Sequence, residues 1–187
     1  MLRQALCLLA ATVTLTTTTG YTAAAAPPTG PWTGGWSTSP QREAGPVFTD
    51  QTLRMFVHPT LGGSPIRVRL ANTFGTKDVT FKAINVARAV TASSADLVAG
   101  TARRVTFGGR TSVTVPVGTS RLSDPVNLSV GVGQDLAVDL YVTAGGDATA
   151  ITGHDAAQGT QFVAAQQPGW RRGRRVHRHR ELHVLAG

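Results

Sequence analysis

The stretch from Phe48 to Gly75 reads FTDQTLRMFVHPTLGGSPIRVRLANTFG. Two alternating runs flank a turn. In the first, Leu53, Met55 and Val57 share one side of an extended chain, and Thr52, Arg54, Phe56 and His58 the other. In the second, Ile66, Val68 and Leu70 oppose Arg67 and Arg69. Successive side chains of a strand point to opposite faces, so this alternation predicts two half-buried β-strands. Between them Pro59, Gly62, Gly63 and Pro65 break the strand pattern and permit a reversal. Asn72-Thr73-Phe74-Gly75 closes the unit as a turn. The stretch reads as scaffold, with no reactive constellation of its own.

The same signal recurs downstream. Val79 to Ala83 alternates, and Ile84-Asn85-Val86 continues in the opposite phase. A slip of one residue predicts a β-bulge. Val105-Thr106-Phe107 and Ser112 to Val117 bracket Gly108-Gly109-Arg110, a hairpin signal. Val126 to Val130 and Leu136 to Val142 alternate again, and Phe162-Val163 is the shortest and last strand. Ala92 to Leu97 reads equally as a short helical turn or a loop. No segment carries a 3.6-residue apolar period, and no internal repeat is present. The expected fold is therefore all-β, a β-sandwich or jelly roll. One domain spans 47–169, and a chain of about 150 residues buries ~70% of its unfolded surface.

Residues 1–26 read as a signal peptide. Arg3 supplies the positive start, Ala5 to Leu15 the apolar run, and Ala23 to Ala26 the small residues of a cleavage site. The run is shorter than the ~20 residues that span a bilayer, so no membrane anchor is expected. The single cysteine, Cys7, lies inside this segment. The exported chain would carry no disulfide and no thiolate metal site. Residues 27–46 read as a linker that becomes the first edge segment. It holds Trp32 and Trp36, read as caps on the core or as a stacking platform for a sugar.

Charge is unevenly distributed. The chain has 18 Lys+Arg and 10 Asp+Glu, a formal net charge of +8. Six arginines against Glu181 give residues 170–187 a net +5, Arg3 adds one, and residues 27–169 carry +2. The folded body is thus not expected to bind nucleic acid. The tail has three readings. It is a basic arm for an anionic polymer, a metal strip of His177, His179, Glu181 and His183, or text read out of frame. The last is the expectation. Plausible GC-rich codons for Arg171 to Gly187, shifted by one base, give Ala-, Thr- and Ser-rich text like that upstream. A disordered tail follows, as for the signal.

No nucleophilic constellation is readable. His58, His154 and Asp155 offer a base and a carboxylate, but no Gly-x-Ser-x-Gly elbow accompanies them. Gly146-Asp147-Ala148 has the shape of a nucleophile turn without its hydroxyl. Asp124 and Asp135 read as turn residues and Asp139 as an outward strand residue, so paired carboxylates for sugar hydrolysis are not expected. Asn127-Leu128-Ser129 matches a glycosylation sequon. The sequence predicts no catalytic, cofactor or metal residues.

Six motifs carry a family resemblance. They are Trp36-Ser37-Thr38-Ser39-Pro40; Phe48 to Met55; Ile66 to Leu70 with Asn72-Thr73-Phe74-Gly75; Val105-Thr106-Phe107-Gly108-Gly109; Ser112 to Gly118; and Ser123-Asp124-Pro125-Val126. In order and spacing, from Gly35 to Val163, the chain resembles the N-terminal β-domain of secreted actinobacterial-type SGNH/GDSL hydrolases, which are esterases and lipases. The resemblance implies an extracellular place and a partner, a missing or separate catalytic α/β domain. That domain would carry a Gly-Asp-Ser block, Gly and Asn oxyanion blocks and an Asp-x-x-His block. None of the four is in this chain, so no catalytic residue transfers. The expected function is a non-catalytic accessory domain, truncated before its catalytic half and inactive alone. The alternative is an extracellular carbohydrate-binding module using Trp32 and Trp36. A missing companion also predicts a large exposed apolar patch near the C-terminal end of the body.

Overall fold

The computed structural model describes residues 32–145, 149–154, 160–165 and 177–178. Residues 1–26, read above as a signal peptide, lie outside them, as do Asp147, Asp155 and all of 170–187 except His177 and Arg178. Among the described residues the regular structure is all strand: β1 (Gln41–Glu43), β2 (Gln51–Val57), β3 (Arg69–Asn72), β4 (Val79–Arg88), β5 (Arg103–Val105), β6 (Val113–Val115), β7 (Thr119–Leu122), β8 (Leu136–Gly145), β9 (Ile151–Gly153), β10 (Phe162–Ala165) and β11 (His177–Arg178).

The main sheet has seven antiparallel strands in the order β11-β10-β2-β8-β4-β5, with β6 also on β4. Facing it, β3 pairs with β7, and bridges Ile66↔Val126 and Gly63↔Val130 prolong that ladder. β1 and β9 form a separate two-stranded sheet. The core fills the space between the layers. Leu53 and Met55 of β2, Ile84 and Val86 of β4, and Leu136, Val138, Leu140 and Val142 of β8 come from the main sheet. Val68, Leu70, Val126, Leu128 and Val130 come from the facing layer. This is the sandwich that the alternation predicted.

The phase slip in β4 is a bulge. Phe81 pairs with Val142 and Ala83 with Tyr141, so Lys82 has no residue opposite. Phe81 and Ile84, an odd number apart, can then both be buried, at 4% and 0% exposure.

Two connections differ from the sequence reading. Residues 59–65 do not fold β2 back onto its successor; they carry the chain from one layer to the other. Gly108 and Gly109, with φ of 57° and 76°, do make a two-residue reversal closed by the Phe107↔Arg110 bridge. However, β5 and β6 do not pair with each other. Both lie along one edge of β4, which at ten residues is long enough to take them end to end. Residues 92–97 are loop, fastened by the Ala89↔Leu97 bridge. In the tail, where disorder was expected, His177 and Arg178 pair with Val163 and Phe162 as β11.

The outer face of the main sheet holds the largest correction. Alternation places Arg54 and Asp139 away from the core, and they are there, but they do not meet solvent. Arg54 is 1% exposed and Asp139 6%. They are cross-strand partners, and Arg54 Nε and Nη2 donate to the two Asp139 oxygens at 2.6 and 2.7 Å. A third guanidinium nitrogen donates to the Ala95 carbonyl, so the 92–97 loop lies over the pair. Burial pushes the Asp139 carboxyl up, while the hydrogen bonds and charge of Arg54 pull it back.

On the facing layer, buried Asn72 donates its amide to the carbonyls of Lys77 and Val115, at 2.9 and 3.1 Å. Its side chain packs directly on the Cα of Gly75, and a Cβ there would collide with Asn72 Oδ1.

Three outcomes follow for chemical denaturation. Arg54→Met should lower unfolding free energy by roughly 3–5 kcal/mol, because it strands a buried carboxylate. The double variant Arg54→Met/Asp139→Leu should recover most of that loss. Gly75→Ala should cost about 1–3 kcal/mol by displacing the Asn72 amide from its two acceptors.

Candidate functional site

Two places bring together the residue types that chemistry or binding needs. The first is a His–Asp dyad. Val57 and Leu136 are the last rung of the β2–β8 ladder, so the next residues, His58 and Asp135, face each other. His58 Nδ1 lies 2.6 Å from Asp135 Oδ1, with the imidazole 62% exposed and the carboxylate 20%. A carboxylate on Nδ1 orients an imidazole and leaves Nε2 to accept a proton. Acyl transfer also needs a hydroxyl on Nε2. Among the described residues no hydroxyl hydrogen-bonds to His58, and Gly133 lies beside its Nε2. The sequence reading had both residues but not their pairing, since 77 positions separate them. Extending the predicted strands by one rung is the signal that would have found it.

The other candidates are placed apart. His154 follows β9 and packs edge-on against Trp36, with ring centroids 6.3 Å apart. Asp124 accepts from Thr106 Oγ1 at 2.7 Å and from the backbone N–H groups of Gly108 and Gly109 at 3.0 and 2.7 Å. The Gly109 N–H, the Thr106 hydroxyl and the Gly108 N–H favour its charged form and hold its carboxyl below the usual range. It is a turn fastener, as its place before Pro125 suggested. Asp139 is committed to Arg54. Among the described residues no three His, Cys, Asp or Glu side chains are grouped so as to hold a metal ion.

The second place is a cleft of about 680 Å³ between residues 32–37 and the layer crossing at 59–69. Thr60 N–H and Oγ1 both donate to the Gly35 carbonyl, at 2.8 and 3.1 Å, and pin one wall. Val68, Val86, Leu136 and Val138 line its floor, each at most 5% exposed. Trp32, Leu61, Arg67 and Arg69 also line it. The Arg67 guanidinium sits 4.7 Å over the Trp32 ring. Neither tryptophan joins the core cluster. Trp32 is 44% exposed and Trp36 half-buried.

Large apolar side chains are exposed mainly at this end. Trp32, Leu61, Val90 and Val132 are 44–78% exposed around the end of β2 and its neighbouring turns. At the opposite end, where Ala165 of β10 pairs with Gln51, the exposed ones are Val47 and Val117. The C-terminal end of the body at 166–169, near which a large apolar patch was expected, lies outside the described residues.

A comparison with protein-family models found no match, and a comparison with curated proteins found none. Among the described residues no helix is long and apolar enough to cross a membrane.

Asp124 has a depressed carboxyl pKa, so its stabilisation is present above the ordinary aspartate value of 3.8 and is lost as pH falls through the lower folded value. The melting-temperature difference between wild type and Asp124→Asn should be full at neutral pH and shrink as pH drops below that ordinary value. A difference that grows with acidity would contradict the assignment.

Proposed function

We propose that this chain is the non-catalytic N-terminal β-domain of a secreted SGNH/GDSL-type ester hydrolase. It works beside a catalytic α/β domain, in the same polypeptide or as a separate chain, to brace it or shape access to it. One observation carries the reading: the motifs behind the resemblance interlock as framework. Asp124, in the Ser123-Asp124-Pro125-Val126 motif, fastens Thr106, Gly108 and Gly109 of another. Asn72 holds the Val115 carbonyl and accepts from Gly118 N–H, both in the Ser112 to Gly118 motif. The Ser123 hydroxyl accepts from Val68 N–H and donates to the Asp124 carbonyl. These polar groups hold backbone, and a scaffold role supplies a reason for their spacing that a reactive role does not.

The carbohydrate-binding alternative has less support. Sugar stacking needs an open ring face, while one face of Trp32 carries Arg67 and Trp36 is engaged with His154.

The purified chain should show no hydrolysis of p-nitrophenyl butyrate above buffer. It should also form a complex with a separately produced SGNH catalytic domain in size-exclusion chromatography. Turnover abolished by a single Ser→Ala substitution would overturn the reading, as would failure to associate with any catalytic domain tested. Tryptophan fluorescence that saturates with a polysaccharide would favour the alternative.

A further inference from the structure

We propose that the catalytic domain docks on the end of the sandwich where β2 leaves the main sheet. Leu61, Val90 and Val132 are its apolar contacts there, and a carboxylate of that domain meets Arg88. This rests on the accessory-domain reading and gives it a surface.

The surface is continuous because the segments that form it are tied to one another. The Thr60 N–H donates to the Gly35 carbonyl at 2.8 Å, and the Gly133 N–H to the Pro59 carbonyl at 2.9 Å. Gly62 packs so closely on residues 130–132 that an added Cβ would fall 2.9 Å from the Val130 carbonyl oxygen. The Ala89 N–H donates to the Asp135 carbonyl at 2.8 Å, and Gln134 Nε2 to the Ala89 carbonyl at 3.2 Å. His58 joins the same set through the Asp135 carboxylate.

On this fastened backbone large apolar side chains stand outward. Leu61 is 48% exposed, Val90 57% and Val132 78%. None of the three belongs to the core cluster, so the interior does not account for them. Val132 lies between two glycines, in a turn closed by the Gln134 N–H on the Gly131 carbonyl. Polar residues are the usual choice at such a place. Exposed apolar groups gathered at one end mark a protein contact, and a backbone already fixed spares the cost of ordering loops on binding.

Arg88 indicates what the partner brings. It is the last residue of β4 and shares the Val57–Leu136–Arg88 rung, so it stands level with the end of the sheet. The residue is half-buried. Its Nε is buried and makes no hydrogen bond among the described residues. No carboxylate among them lies within ion-pair distance of it. The acids of the adjoining turns are engaged elsewhere: Asp135 with His58 at 2.6 Å, and Asp96 with the Ser94 hydroxyl at 3.3 Å. A buried guanidinium nitrogen without an acceptor is costly. A carboxylate from outside supplies the acceptor and the opposite charge together. A partner with apolar side chains around an acidic group fits this surface, and a basic or uniformly polar one does not. The path of the chain agrees. β11 runs antiparallel to β10, and so in the direction of β2, back towards this end. A domain further along the same polypeptide would be led to the surface.

The test measures the complex of the full chain with a separately produced SGNH catalytic domain, by calorimetry and by amide hydrogen exchange. Leu61→Asp/Val132→Asp, both at exposed positions, should weaken the complex at least about thirtyfold. Arg88→Gln should weaken it about tenfold, and Arg88→Lys, which keeps the charge, less than that. Val117→Asp, at the opposite end, and Arg104→Gln, on β5, should leave it unchanged. In the wild-type complex exchange should slow at 59–62 and 131–134 and stay as it was at 116–118. That measurement needs no variant, so it decides the matter even where a substitution impairs folding. A wild-type complex that is indifferent to the Leu61/Val132 pair, or whose slowed amides lie elsewhere, would overturn the surface and leave the accessory-domain reading standing. An Arg88→Gln complex as tight as wild type would overturn the carboxylate contact. Absence of any wild-type complex would overturn the accessory-domain reading and the surface with it.

Discussion

The structure turns on a guanidinium and a carboxylate held face to face in the dry outer surface of the main sheet. Taking both charges from water is expensive, and their attraction offsets that cost only when geometry is good. Here two short hydrogen bonds join Arg54 to Asp139 and a backbone carbonyl takes a third guanidinium nitrogen. The pair is a rung of the β2–β8 ladder. If β2 slipped by one residue, Arg54 would lose Asp139, and Leu53 and Met55 would exchange faces with Thr52 and Arg54. The interaction therefore acts more on which arrangement is adopted than on total stability. It also decides what covers the sheet, because the carbonyl it requires belongs to Ala95.

Both candidate sites descend from that register. Once Arg54 and Asp139 are paired, Val57 meets Leu136, and the next residues to meet are His58 and Asp135. The chain then leaves the sheet and crosses to the other layer. A hairpin would have closed the end of the sandwich. The crossing does not, and Val86, Leu136 and Val138 line a cleft beneath Trp32 and Leu61. The cleft and the dyad are consequences of one departure, at Pro59.

Alternation made much of the fold legible in the residues themselves. Leu53, Met55, Ile84, Val86, Val138 and Leu140 all face the core as their period demands, and the slip near Ala83 marks a true bulge. What alternation lacks is any information about the space beyond a face. Arg54 reads as solvent-facing because its neighbours in sequence cannot reveal that residues 92–97 return to cover it. Layer membership was equally hidden: Val57 and Ile66 flank one turn but belong to different sheets. β1, β7 and β9, at three or four residues, are too short to carry a period. Of the site, the tryptophans and arginines were visible as residues. The cleft was not, since it is a gap between segments rather than a property of any one of them.

The two short strands on the far side of β4 have a consequence for how the molecule behaves in a crowd. An uninterrupted ten-residue border would offer a long row of unpaired amides and carbonyls to another copy of the chain. That row is instead capped by β5 and β6, three residues each, and broken between them where Gly108 and Gly109 turn the chain outward. Arg103 and Arg104 put two exposed positive charges on the first of these pieces. Short length, interruption and like charge all discourage the side-by-side growth that begins fibrils. The β4 rim of the sheet thus carries the features that discourage edge-to-edge pairing.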